Sequence, residues 1–172
     1  VCNAMETLLI HEQIPESEIS QVFSSLLEAG VELRVCSAIM KKFSSNSDRL
    51  VDASEQDWAK EYTDLILSVR LVSSIDEAIG HINQYGSGHT DTIIAEDRSI
   101  AEKFMDQVDA ANVFWNASTR FADGFRYGFG AEVGVSTCKT HARGPVGLDG
   151  LIIYKYKLYG NGQGVARYHE GG

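Results

Sequence analysis

A thiol stands at the second position of the chain, in Val1-Cys2-Asn3-Ala4-Met5-Glu6, directly before the strand-like run Thr7-Leu8-Leu9-Ile10-His11. A cysteine in a tight loop that feeds a strand can present its sulfur to a cleft, with backbone N–H groups nearby to stabilise a thiolate or an oxyanion. That arrangement suits a covalent thiol catalyst; the competing use of a lone cysteine is as a small buried apolar side chain. A second grouping, Ser118-Thr119-Arg120-Phe121, puts two hydroxyls and a guanidinium after the apolar run 112–115. Ligands of open α/β sheets commonly sit at such a position. Arg120 carries the planar fork that grips a carboxylate or phosphate. An ion pair with a neighbour such as Asp123 is the structural alternative.

Other constellations point away from their usual chemistries. Gly128-Phe129-Gly130-Ala131-Glu132-Val133-Gly134 has one residue too many for a dinucleotide fingerprint and does not directly follow a strand in a short βαβ unit, so a turn opening a short helix is expected there. The five histidines are scattered and no H-E-x-x-H occurs, so no metal site is expected. A G-x-S-x-G elbow is absent. His141-Ala142-Arg143-Gly144-Pro145-Val146-Gly147 reads as a rigid, sharply turned connector.

The elements that must position these groups follow from periodicity. After the opening strand, Pro15-Glu16-Ser17 starts a helix whose Ile19, Val22, Phe23, Leu26 and Leu27 share one face, and Ala29-Gly30 closes it. Residues 31–35 alternate as a strand, 37–43 suit a short helix, and the Ser-rich stretch 44–57 reads as a surface loop. The run 65–72 is apolar enough for a buried strand. Residues 74–85 form an amphipathic helix capped by Ser74, with Glu77 three residues on. A turn through Gly86-Ser87-Gly88-His89-Thr90-Asp91 leads to a strand at 92–95, a helix at 98–108 and a strand at 112–115. This alternation predicts an α/β fold: a mostly parallel sheet with helices on both faces. From 116 to 150 the chain is glycine-rich without a long helix, and so long a loop tract is usually functional. The closing run Leu151-Ile152-Ile153-Tyr154-Lys155-Tyr156-Lys157-Leu158-Tyr159 alternates like a strand that would pair in another subunit. Residues 161–172 read as a disordered tail.

With 172 residues, 44% of them hydrophobic, the chain can bury a real core. Its net charge of −9 argues against nucleic acid or an anionic membrane as the main partner. No apolar run approaches a membrane span. Three cysteines without a C-x-x-C pair fit a reducing compartment, and they weigh against using the sequon at Asn116.

Together these stretches resemble the gamma-glutamyl phosphate reductases (glutamate-5-semialdehyde dehydrogenases), a family within the aldehyde dehydrogenase superfamily. The resemblance covers nearly the whole chain. It rests on residues 1–9, on the pattern from Val72 through His81-Ile82 and residues 85–91 to Ile93, and on Asn116-Ala117-Ser118-Thr119-Arg120-Phe121 and His141-Ala142-Arg143-Gly144-Pro145. Trp115 and residues 121–130 look nearest to the fungal single-function enzymes, and the reductase half of bifunctional pyrroline-5-carboxylate synthases is similar too.

The resemblance implies NADPH-dependent reduction of L-glutamyl 5-phosphate to L-glutamate 5-semialdehyde, in proline biosynthesis. Cys2 falls on the family's nucleophile. Glu61 matches the acid on the nicotinamide ribose. Ser118, Thr119 and Arg120 match the substrate loop, with Arg120 on the α-carboxylate, and His89 would help bind phosphate or substrate. The resemblance further implies a catalytic domain over 1–148 and an oligomerisation strand over 149–160. Most of the NADPH site would lie upstream of this chain, leaving the 172 residues inactive alone, or acting only as an oligomerisation module. A cytoplasmic location, mitochondrial within a bifunctional synthase, and coupling to glutamate 5-kinase are implied in the same way.

Overall fold

The computed structural model describes residues 1–43, 47–140 and 142–164. Four strands form the main sheet, in the order β1 (Thr7–His11), β4 (Ile66–Val72), β2 (Glu32–Val35), β3 (Leu50–Asp52), all parallel. Side chains alternate across a strand, and β4 shows what each face holds. Leu67 and Val69 face a core with Ile10, Leu33 and Val35, covered by Ile19 and Phe23 of α1 (Glu16–Glu28) and Ile39 of α2 (Ser37–Lys42). Ser68 and Arg70 face the other way. There the 3₁₀ helix Glu55–Ala59 and α3 (Ile75–Tyr85) cover the sheet through Asp57, Trp58, Glu77 and His81. Helices therefore lie on both faces, as the alternation predicts.

A second parallel pair, β5 (Thr90–Ile93) and β6 (Asn112–Trp115), packs with α3 and α4 (Arg98–Gln107) around Ile79, Phe104 and Val108. Asp97 caps α4 by accepting from the N–H groups of Ser99 and Ile100, and Ser74 caps α3 through the N–H of Glu77. The chain leaves α3 at Gly86, where an added Cβ would stand 2.6 Å from the Ile82 carbonyl oxygen. Gly88 then turns it into β5 with a φ of 72°.

Several sequence expectations are corrected. The polar stretch 44–57 is not all loop: β3 and the start of the 3₁₀ helix lie in it, and 44–46 fall outside the described residues. An edge strand of three half-exposed or exposed residues has no need of an apolar pattern. β5 starts two residues earlier than the apolar run suggests, because backbone pairing with β6 sets its limits. The 128–134 glycines form a turn that opens no helix; Gly128 and Gly130 adopt φ of 83° and 76°, and Gly134 begins β7 (Gly134–Ser136), antiparallel to β8 (Gly144–Val146). The connector at 142–147 is thus partly strand, and His141 lies outside the described residues. Residues 152–159 pair with no strand among the described residues of the single chain, and Leu151 ends a 3₁₀ helix, Leu148–Leu151; the pairing expected of this run is with another subunit. The tail expectation concerns mainly 165–172, outside the described residues. No helix among the described residues is long and apolar enough to cross a membrane.

Candidate active site

The segments that carry Cys2 and Glu61 lead into neighbouring strands. β1 and β4 are parallel neighbours with Thr7 opposite Ser68, so the segments that lead into them meet at the same end of the sheet. Between these lead-ins lies a cleft of about 370 Å³, lined by Val1, Ala4, Met5, Glu6 and residues 61–66. Cys2 is exposed in a tight turn closed by the Ala4 N–H on the Val1 carbonyl oxygen, 3.0 Å. The tight loop expected before the strand is therefore present. Glu61 is exposed and makes no hydrogen bond or ion pair among the described residues. Two residues on, Thr63 holds a φ of 54°. A β-branched residue rarely adopts that conformation, and such strain collects at functional sites.

The 118–122 loop closes on the thiol turn from the other side. The Asn3 amide donates to the Ala122 carbonyl oxygen at 2.9 Å, and the Thr119 hydroxyl donates to the Asn3 carbonyl oxygen at 2.7 Å. The Arg120 guanidinium donates to Asn3 Oδ1. Arg120 is thus not paired with Asp123, whose carboxylate instead accepts from the N–H groups of Phe125 and Arg126. Ser118 caps the short 3₁₀ helix Thr119–Phe121 through the N–H of Arg120. The loop is fixed at its root by Asn116 (φ 52°), whose amide brackets Ala95, and by the Thr92 hydroxyl on the Ala117 carbonyl oxygen.

His89 sits before β5, buried, with Nδ1 2.6 Å from the Thr90 hydroxyl and Nε2 without a partner among the described residues. Burial pushes its pKa down, with Glu132 and Glu61 opposing, so the ring is neutral near pH 7. Asn112 and Tyr127 support it: the Asn112 amide donates to the His89 carbonyl oxygen at 2.9 Å, and the Tyr127 hydroxyl donates to Asn112 Oδ1 at 2.7 Å. Sequence reasoning missed this pair; the polar Asn112 opening an apolar strand was the available signal.

Two further acids were also missed. Burial pushes the Asp91 carboxyl up to about 6. Burial, then the charges of Glu61 and Asp91, raise that of Glu6. Glu6 and Glu61 both line the cleft, and Glu6 feels the charges of Glu61 and Asp91. No cluster of metal ligands occurs among the described residues.

Behind Glu61 lies a polar node. Asp57 accepts from Arg34 at 2.6 Å, from the Ser54 N–H and hydroxyl at 2.7 Å each, and from the Tyr62 hydroxyl at 2.8 Å. Tyr62 also meets the Ser68 hydroxyl of β4 at 2.8 Å. Burial alone would raise the Asp57 carboxyl, but the Ser54, Arg34 and Tyr62 hydrogen bonds hold it well below the usual carboxylate range.

Residues 49–134 fit the aldehyde dehydrogenase family model. The chain belongs to the aldehyde dehydrogenase family. It is 56% identical, over 98% of its length, to the gamma-glutamyl phosphate reductase of Pelotomaculum thermopropionicum and to that of Haloquadratum walsbyi. It spans 38% of the length of each of these relatives. The crystal structure of gamma-glutamyl phosphate reductase from Thermotoga maritima superposes on 95% of the chain with a TM-score of 0.84 at 45% identity, 38% of that chain being covered. The corresponding Saccharomyces cerevisiae structure gives 0.55 and 34%, over 96% of this chain and 36% of its own. Of these two structures the Thermotoga maritima reductase is the nearer, in fold and in sequence.

Proposed function

We propose that this chain carries the thiol half of a gamma-glutamyl phosphate reductase, which reduces L-glutamyl 5-phosphate to L-glutamate 5-semialdehyde and phosphate in proline biosynthesis. The observation that carries the reading is the joint between the Cys2 turn and the Thr119–Arg120 loop, in a chain 56% identical to reductases of that name. The Cys2 thiolate attacks the acyl carbon; a C–S bond forms, the C–O bond to phosphorus breaks, and phosphate leaves. The backbone N–H of Cys2 itself would donate to the developing oxyanion. Arg120 holds the α-carboxylate of the glutamyl group with Ser118 and Thr119 beside it, and neutral His89 offers its unpartnered Nε2 to a phosphate or substrate oxygen. An acyl phosphate is already activated, so no base is needed to activate water; excluding water protects the thioester.

Glu61, unpartnered on the rim of the cleft, fits the ribose hydroxyls next to a nicotinamide, since a free carboxylate accepts from both. When bound, NADPH supplies the hydride that reduces the thioester and releases the thiol. Glutamyl phosphate must come from a reaction that phosphorylates the side-chain carboxylate of glutamate, which is the basis for coupling to glutamate 5-kinase. That chemistry suits a reducing compartment: the cytoplasm, or the mitochondrion for a bifunctional synthase.

The test is phosphate-dependent oxidation of glutamate 5-semialdehyde by the intact protein that carries this chain. Cys2→Ala is expected to lower turnover by more than about a thousandfold. Turnover retained in that variant would sink the reading. Thiol labelling with iodoacetamide needs Cys138→Ser as background, because exposed Cys138 is itself shifted towards thiolate by the Ser136 hydroxyl, the Thr140 backbone and Arg143.

The run 151–159 we assign to packing between copies. Ile153, Tyr156 and Leu158 are each more than nine-tenths exposed, and a paired strand would cover such a run. Replacing Ile153 and Tyr156 with Asp should reduce the sedimenting mass of the intact protein; an unchanged mass removes the assignment.

A further inference from the structure

Asn3 is held by three contacts to one distant loop. Its side-chain amide donates to the Ala122 carbonyl oxygen, its Oδ1 accepts from the Arg120 guanidinium, and its backbone carbonyl oxygen accepts from the Thr119 hydroxyl. The partners lie 119, 117 and 116 residues away in sequence. Asn3 is also the residue that follows the thiol, and the turn it occupies is closed by the Ala4 N–H on the Val1 carbonyl oxygen. With one covalent link to Cys2 and one hydrogen bond to the guanidinium, the Asn3 unit joins the two groups that would hold opposite ends of a substrate. The loop beyond is itself pinned by Asn116 and Thr92, so the joint connects two anchored segments rather than a thiol and a free side chain.

We propose that Asn3 is a positioning residue that sets the spacing between the Cys2 sulfur and Arg120, and thereby selects the length of the substrate. The inference rests on the reading above, in which Cys2 takes the side-chain carbonyl and Arg120 the α-carboxylate. A substrate then spans thiol to guanidinium, and its carbon count must match that span. A five-carbon amino dicarboxylate skeleton fits where the four-carbon homologue, one methylene shorter, cannot reach both ends at once. Two fixed contacts discriminate one methylene by roughly 10- to 200-fold. If the joint is loosened, the short homologue reaches both ends as often as the long one. Specificity then falls further than activity does.

Asn3→Ala removes both side-chain contacts. Asn3→Asp keeps the shape and the acceptor for Arg120 but loses the amide donor to Ala122, and it serves where the alanine variant does not fold. The intact protein is assayed for phosphate-dependent oxidation of glutamate 5-semialdehyde and of its four-carbon homologue, aspartate 4-semialdehyde. The expected result is a drop of about tenfold in the ratio of the two kcat/KM values for Asn3→Ala and a smaller drop for Asn3→Asp. A merely structural role would lower both kcat/KM values together and leave the ratio alone. Folded variants with the wild-type ratio overturn the proposal. A wild-type protein with no turnover of glutamate 5-semialdehyde removes instead the reading on which it rests, and a Cys2→Ala control distinguishes the two failures.

Discussion

Two polar joints hold this site, and they are built to opposite plans. The node around Asp57 is closed: its side chain is 7% exposed, it takes bonds from Arg34, Ser54 and Tyr62, and it ties the segment bearing Glu61 to β4. The joint around Asn3 is open: Arg120 is exposed and Cys2 is exposed, yet the residue between them reaches across more than 110 positions of sequence. In the closed node every strong donor meets the buried carboxylate, so its bonds are expressed as stability. In the open joint the charged groups keep access to solvent, so its bonds contribute little to folding and are available to a ligand. The same residue chemistry therefore serves anchoring in one place and leaves polar groups open to solvent in the other.

The sharpest way to break this contrast is Asp57→Ala. Arg34 and the Ser54 N–H would lose their buried acceptor, and the chain should be destabilised by about 3 kcal/mol in urea melts; a change below about 1 kcal/mol would mean the node is no anchor. The pH dependence has a definite sign. The folded Asp57 carboxyl lies below its ordinary 3.8. Its contribution is therefore full above that value and is lost as pH falls through the lower, folded value.

Asp91, in β5, titrates in the opposite sense. Its folded pKa of about 6 exceeds the ordinary 3.8. Stability linked to it is present below pH 3.8 and lost as pH rises through about 6. Asp91→Asn should therefore stabilise the chain at pH 7.5 by about 1–2 kcal/mol, after allowance for its partial exposure, and by nothing below pH 4. A gain that persists at low pH would contradict a raised carboxyl. The smallest effect belongs to the open joint. Asn3→Ala should cost about 0.5–1 kcal/mol of stability while altering substrate selection; a loss near that of Asp57→Ala would erase the difference between the joints.

Much of the scaffold is legible in local sequence. The apolar spacing of Ile19, Phe23 and Leu26, the Ser74 cap and the Ala29-Gly30 stop each act within one or two helical turns, so α1 and α3 stand where the pattern puts them. The strand Thr7–His11 is equally plain. Elsewhere a partner strand decides. The alternation of 151–159 describes a surface ready to pair with another subunit, so the single chain leaves it exposed. The three-residue β3 exists because β2 offers an open edge, not because 50–52 are apolar.

The site divides along the same line. Cys2 and the 118–120 loop were identifiable as chemically able groups from residue types and spacing, Glu61 and His89 only through the family resemblance, and the alternating α/β order of the chain from periodicity. Only the tertiary structure decided that Arg120 turns to Asn3 and not to Asp123, and that Glu6 feels the charges of Glu61 and Asp91. Only the register of β1 against β4 brings the Cys2 and Glu61 lead-ins to one cleft. The physical reason is range. Helix periodicity, caps and turns are settled by neighbours a few residues apart. Burial, the field between carboxylates and a hydrogen bond spanning 117 residues depend on which distant segments the packed core brings into contact.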